Sequence, residues 1–368
     1  MTPLLSSALT LLAKLYGIFL GFLGISFLVA IHELGHFFCC KLFGVHTPSF
    51  SLGFGPRLYT KKIGATEFSL SAIPLGGYVE IAGVEEVGQG EQKFSHDRSN
   101  SSFANKPYYQ KLIILLGGIA VNIAFAWIAL ALLFTFNGIP AHQAFGSKVV
   151  TNRIESIVPG SPAEKAGLKA GEWIESPEHD KGTLSEFLRT KAGKKVTLLV
   201  RNEPSAAPSQ VEIELDATEG APSLGVKFEL QASAPLPFNQ AVSQSGATIY
   251  SWITSTFSSL ANMFTKRTTQ GLGGPIAVIH SITKSADRGF VLFIVALCFI
   301  SVGIACINLV PLPIFDGGQV LFETITALSG RPLNNVRAWI HTISWIAVIG
   351  LILLLTWRDV ARIIFGAL

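Results

Sequence analysis

Four stretches of this chain stay apolar for so long that a bilayer, rather than a water-facing core, must be their solvent: residues 12–38, 112–136, 290–315 and 338–357. A helix needs about 20 consecutive apolar residues to cross a hydrocarbon core ~30 Å thick, and each stretch supplies them. Hydrocarbon offers no partner to backbone N–H and C=O groups, so each stretch must close its hydrogen bonds within itself, as a helix does. Composition agrees, with 49% hydrophobic and 14% charged residues among 368, where soluble domains carry about 25% charged residues. The first stretch begins too far into the chain and runs too long for a cleaved signal peptide, so it is expected to remain as a span. A net charge of +4 without any basic run argues against a nucleic-acid partner. Cys39, Cys40, Cys298 and Cys306 lie in or beside spans and suggest no disulfide framework.

Two polar insertions of different character separate the spans. Residues 44–110 contain "FSLGFGPRLYTKKIGATEFSLSAIPLGGYVEIAG", whose short runs at 50–54, 57–63, 67–73 and 78–82 are punctuated by Gly and Pro. That pattern predicts β-hairpins. Residues 145–232 predict a compact α/β domain, with strand-like runs at 153–158, 195–201, 210–215 and 224–230 and a helix near 183–191. In the region 237–285, Ile249, Trp252, Ile253, Phe257, Leu260, Met263 and Phe264 recur at helical spacing opposite a Ser, Thr and Asn face. This reads as an interfacial helix. The expected order is therefore span (1–43), hairpins (44–110), span (111–140), α/β domain (145–232), interfacial region (237–285), span (286–318) and span (336–358). Lys41, Arg57, Lys61, Lys62, Lys93, Arg98, Lys106 and Lys111 place the hairpins on the cytoplasmic side. The α/β domain and both termini then lie outside.

The first span contains "LVAIHELGHFFCC". His32 and His36 stand at i and i+4 and so share one helix face, with Glu33 beside them. HExxH on a helix is the arrangement by which zinc peptidases hold the metal with two imidazoles and keep a glutamate as general base. An ionisable group near mid-membrane costs about 2.5–3.5 kcal/mol even on the gentlest scale, so three clustered polar side chains need a compensating partner. A divalent cation is one. Catalytic zinc takes three protein ligands, so a third is expected at similar depth. Residues 308–318, "NLVPLPIFDGG", supply the candidate. Pro311 and Pro313 cannot continue a helical ladder, so the helix must open beside Asp316. Cys39 and Cys40 compete, but they share the helix of the histidines, where their reach is poor. His46, His96, His142, His179, His280 and His341 have no partner at ligand spacing and read as surface or structural.

Together, "HELGH" and "NLVPLPIFDGG" resemble the two signatures of the site-2 protease family, zinc metalloproteases that cleave within the membrane. Those signatures are HExxH on one span and NxxPxPxxDG at another. "FANKPYYQKLIILLGGIAVN" is similar to the family's second span, and "GLGGPIAVI" to its segment before the third. The resemblance is strongest to the bacterial branch that cleaves anti-sigma factors and signal-peptide remnants. It implies a polytopic α-helical membrane protein of the bacterial cytoplasmic (inner) membrane, with four transmembrane helices, a membrane-associated β-hairpin sheet and an inserted extracytoplasmic PDZ-like α/β domain. It further implies Zn2+ held by His32, His36 and Asp316, Glu33 as the catalytic base, and Asn308 steadying the substrate backbone or the oxyanion. Ser71, Ala72, Ile73, Pro74, Leu75, Gly76 and Gly77, on a membrane-re-entrant sheet, would bind substrate as an added strand. Asn122, four residues after Gly118 in the second span, would bind substrate or the oxyanion as Asn308 does, or, the favoured role there, make an interhelical hydrogen bond. The expected partners are membrane proteins with a single transmembrane segment, and the lipid bilayer itself.

"IESIVPGSPAEKAGLKAGEWI" resembles the opening of bacterial PDZ domains, but Glu172 replaces the usual Asp and "ESPEHDKGT" stands where a strand and glycine turn are expected. Two roles for the domain therefore stay open: peptide binding, or exclusion of substrates with bulky outer domains. Two other classes compete with the enzyme. A non-catalytic PDZ-containing adaptor would have no use for Glu33. A metal transporter would want polar residues along several spans, and the fourth has little beyond His341 and hydroxyls.

Overall fold

The structure is a computed structural model that describes residues 3–84, 92–140, 150–176, 194–203, 206–215, 224–230, 232–265, 274–330 and 334–364. The chain divides into two compact units, one formed by Met1–Phe136 with Leu236–Leu368 and the other by Asn137–Pro235. The expected helix near 183–191, together with His142 and His179, lies outside the described residues.

The first unit opens with helix α1 (Pro3–Leu42), followed by strands β1 (Ser49–Ile63) and β2 (Thr66–Val79) and helix α2 (Tyr108–Asn137). The four short runs expected in the hairpin region merge into these two long strands, because bulges bend them rather than end them. Ser49–Leu52 consequently has neighbours on both sides, Glu67–Leu70 on one and Gly77–Val79 on the other. Arg57–Ile63 pairs back on Thr66–Ser71. The stretch Gly77–Val79 is therefore a sheet edge. The base of the hairpin is anchored by apolar packing, in which buried Phe50, Val79 and Ile81 cluster with Cys40 of α1 and with Ile114 and Leu115 of α2. Phe37 of α1 meets the rings of Phe50 and Phe68 edge-on, each at 5.7 Å.

The second unit carries β3 (Val150–Ile157), the single turn α3 (Pro162–Lys165), β4 (Trp173–Glu175), β5 (Lys195–Arg201), β6 (Ser209–Glu214) and β7 (Val226–Leu230). They form one antiparallel sheet in the order β6-β5-β4-β3-β7. On β5, buried Val196, Leu198 and Val200 alternate with more exposed residues, the mark of a sheet with one covered face. With Ile154, Ala163, Leu168, Ile174, Ile213 and Leu224 they make a core of the unit's own. β4 was not anticipated from the sequence, where its three residues are too few to show an alternation.

The first unit resumes with α4 (Phe238–Thr265), α5 (Pro275–Asp287), α6 (Phe290–Asn308), α7 (Asp316–Ser329) and α8 (Asn334–Ile364). Among the described residues, four helices are long and apolar enough to cross a membrane: Leu15–Leu42, Tyr108–Asn137, Phe290–Asn308 and Thr342–Ala361. The third ends sooner than the sequence suggests. Its apolar run continues past Asn308, but the prolines break the ladder, and Asp316 instead begins a new helix. The interfacial region resolves into two helices, α4 and α5. On α4, Trp252 is buried edge-on against Phe299 of α6 at 5.2 Å.

α5 is the hub of this half. A Cβ on Gly17 of α1 would lie 2.5 Å from Thr283 Cγ2, so the two helices meet closely at a small residue. There the Thr283 hydroxyl donates to the Gly17 carbonyl at 2.8 Å. Ile282 packs in a buried cluster with Leu28 of α1 and Leu297 of α6. The start of α5 has Gly274 at its cap, which brings no side chain. Asp359 of α8, wholly buried, fills that role: its Oδ2 accepts the Ala277 N–H at 3.0 Å. Replacing Asp359 by Ala should cost about 1–2 kcal/mol, the usual worth of a helix cap. Thermal unfolding in detergent should show Asp359→Asn, which keeps a carbonyl acceptor, lying between wild type and Asp359→Ala.

Candidate metal centre

His32 and His36 lie on the buried face of α1, at 7% and 6% exposure. The Nδ1 of His36 sits 2.8 Å from the carbonyl oxygen of Ile114 on α2. A carbonyl only accepts, so Nδ1 carries the proton and Nε2 presents a bare lone pair when the ring is neutral. That Nε2 lies 3.2 Å from Nε2 of His32 and 3.5 Å from Oδ2 of Asp316. His32 Nε2 in turn is 3.1 Å from the same carboxylate oxygen.

Three electron-rich atoms thus form a small triangle. Ligands held 2.0–2.1 Å from a tetrahedral zinc ion stand about 3.3–3.4 Å from one another, which matches the edges of this triangle. Asp316 Oδ2 is buried and has no hydrogen-bond partner, although two imidazole nitrogens lie at ion-pair distance. His32, His36 and Asp316 are the one group of potential metal ligands among the described residues, and the donor set fits a divalent ion. Cys39 and Cys40 stay outside it. Cys40 is packed in the apolar cluster at the hairpin base, and Cys39 lies against Gly117.

Local sequence explains how the ligands converge. Gly35 of α1 faces Gly117 and Gly118 of α2, and a Cβ on Gly117 would stand 2.7 Å from the Gly35 carbonyl oxygen. A Cβ on Gly118 would stand 2.5 Å from His36 Nε2 and 2.6 Å from His32 Cε1. The small residues therefore let α1 and α2 approach and leave room for both rings. On the other side, the chain after Asn308 makes tight turns, Leu312 N–H to Val310 and Phe315 N–H to Leu312, before α7 starts at Asp316. Side chains at Gly317 and Gly318 would collide with the carbonyls of Leu309 and Leu312. The two glycines thus allow the broken segment to fold against the helix start and set the Asp316 carboxylate beside the imidazoles.

Glu33 is reached from the hairpin: the Val79 N–H donates to Glu33 Oε2 at 3.1 Å. Sequence reading missed this contact, because a backbone donor leaves no mark in residue identity. Asn308, half-buried at the end of α6, makes no side-chain hydrogen bond among the described residues. Asn122 is wholly buried, with its carboxamide 3.3 Å from His32 Nδ1. Along 71–77, Ser71 is buried and its hydroxyl meets that of Ser51 at 3.2 Å. Ala72 and Ile73 are exposed. Pro74 and Leu75 continue the β2 backbone, their side chains outside the described set. Gly76 takes φ 118°, a left-handed conformation suited to glycine, and Gly77 pairs with Leu52.

Comparison with known proteins places this geometry. The sequence pattern of peptidase family M50 matches residues 20–355. A protein of Clostridium perfringens named "Putative zinc metalloprotease" is 28% identical over 346 residues, covering 92% of this chain and 96% of that protein. One of Brucella suis with the same designation is 29% identical, covering 88% of this chain and 89% of its own. Another, of Agrobacterium fabrum, is 28% identical over 92% of this chain and 94% of its own.

A methyl group at position 118 should be enough to disturb the centre. Gly118→Ala is expected to weaken zinc binding at least about tenfold, the loss seen when ligand-orienting groups are displaced. Circular dichroism should show the helical content unchanged.

Proposed function

The chain belongs to peptidase family M50, the site-2 protease family, and we propose that it is a zinc-dependent endopeptidase that hydrolyses peptide bonds within or near transmembrane segments. The observation that carries this reading is the triangle of His32, His36 and Asp316, with both imidazoles on a helix apolar enough to cross a bilayer, the carboxylate shortly after the end of another, and a glutamate adjoining it. A peptide-binding adaptor would have no need of such a donor set.

His32, His36 and Asp316 would hold the ion. Zinc bound there supplies Lewis acidity, polarising a peptide carbonyl and lowering the pKa of water toward about 7. Glu33 takes the proton of the attacking water and later delivers it to the leaving amine, a role worth about 10²–10⁴-fold in rate. Asn308, at the end of α6, orients the substrate backbone or the developing oxyanion. A helical substrate must unwind before its peptide bonds can be attacked. The sheet edge at Gly77–Val79 adjoins Glu33 through the Val79 amide, which supports capture of the unwound segment as an added strand.

The substrates are membrane proteins with a single span, such as anti-sigma factors or signal-peptide remnants, and the enzyme resides in the bacterial cytoplasmic membrane. Successive spans alternate sides, so the basic hairpin segment at 44–110 faces the cytoplasm and the inserted unit faces outward. We read that unit as a PDZ-like module. Its own sheet and core support an autonomous fold, suited to binding extended ends or to turning away proteins with bulky outer domains.

Glu33→Gln preserves shape and hydrogen bonding but removes the proton acceptor. Full-length protein in lipid vesicles should lose at least about 10²-fold in cleavage of single-span substrates while retaining one zinc per chain. Cleavage that persists in the variant would refute the proposal.

A further inference from the structure

We propose that Asn122 is a positioning residue for the metal centre: its carboxamide oxygen accepts the Nδ1–H of His32 and so fixes Nε2 as the ligating nitrogen. This rests on the zinc reading above but concerns a residue that touches a ligand rather than the metal or the substrate.

The need arises from imidazole chemistry. His32 points Nε2 at the centre, 3.1 Å from Asp316 Oδ2 and 3.2 Å from His36 Nε2. A neutral ring that ligates through Nε2 carries its proton on Nδ1, and in an apolar bundle that N–H requires an acceptor. His36 has one in the Ile114 carbonyl. At Nδ1 of His32 stands the carboxamide of Asn122, at 3.3 Å, with its nitrogen facing the ring.

That orientation satisfies neither partner. An NH2 group donating to Nδ1 would leave the ring proton on Nε2, where the metal must bind. It also leaves Asn122 Oδ1 buried with no hydrogen-bond partner. Rotating the carboxamide by 180° exchanges its two ends and turns the acceptor to the ring. Oδ1 then meets the Nδ1–H, and Nε2 is free. The arrangement parallels the carboxylate–histidine–zinc triads in which an outer acceptor sets ring orientation and ligand basicity.

The surroundings hold Asn122 in place for this role. It is 0% exposed. Its main-chain oxygen accepts the Ser301 hydroxyl of α6 at 3.0 Å, which ties α2 to the helix leading to Asp316. Gly118 precedes it by one helical turn on the same face, where the absent side chain accommodates both imidazoles.

The test is a zinc titration of metal-free, full-length protein in detergent against a chelating zinc indicator. Asn122→Leu should bind zinc 10–100-fold more weakly than wild type. Asn122→Asp, which keeps the acceptor, should bind within about threefold of wild type or more tightly. A merely space-filling residue would give the opposite order, with buried Leu tolerated and buried Asp not. Independently of any variant, ¹⁵N spectra of histidine-labelled, metal-free wild type should show neutral His32 protonated at Nδ1. Undiminished affinity in Asn122→Leu, affinity in Asn122→Asp as weak as in Asn122→Leu, or a His32 proton on Nε2 would each overturn the inference. The titration does not depend on turnover. A selective loss of zinc in Asn122→Leu, in a protein for which no substrate is cleaved, would support this inference and count against the proteolytic reading.

Discussion

Two imidazole nitrogens and a carboxylate oxygen stand within 3.5 Å of one another in an apolar bundle that offers them little solvation. A cation among them compensates the cluster by attracting all three donors. Much of the first unit follows from meeting that condition. α1 supplies two ligands from a single face, α2 comes close enough to support both rings from behind, and the break between α6 and α7 delivers the third. Only the third depends on a helix break, after Asn308, where Pro311 and Pro313 end the ladder and Asp316 starts a new helix.

The geometry also links the centre to the surface on which a substrate would lie. Val79 belongs to the hairpin's free edge, its side chain is buried in the cluster that anchors the hairpin, and its amide bonds Glu33. Movement of that edge would therefore be felt at Glu33. Asp359 performs a comparable tie at the other end of the unit, fastening α8 to the start of α5, which in turn packs on α1 through Thr283 and Gly17.

Much of this was legible in the sequence, for identifiable reasons. Spans are announced by length and apolarity, and HExxH by two periodic imidazoles, because both signals are local. Asp316 could be singled out because the flanking prolines forbid a continuous helix. Less was legible wherever the determinant is a backbone group or a short element. The Val79 amide and the Ile114 carbonyl have no residue signature. The three residues of β4 are too few to show a period, and α7 was hidden behind a span that seemed to run on. Bulges joined the four hairpin runs into two strands, which alternation alone could not reveal. The pair Gly117–Gly118 stands within the second span, but its partners, Gly35 and the two imidazoles, emerge only in three dimensions. Asn122 shows the same limit: its type suggested polarity within a span, while its place behind His32 could not be read from spacing.

The central claim is that segments distant in sequence grip one ion through nitrogen and oxygen alone. Zinc K-edge X-ray absorption on the purified full-length protein tests it most directly. One zinc per chain, with a first shell of only nitrogen and oxygen at about 2.0–2.1 Å, is the predicted result. A sulfur shell at about 2.3 Å would place Cys39 or Cys40 on the metal in place of Asp316 and contradict it.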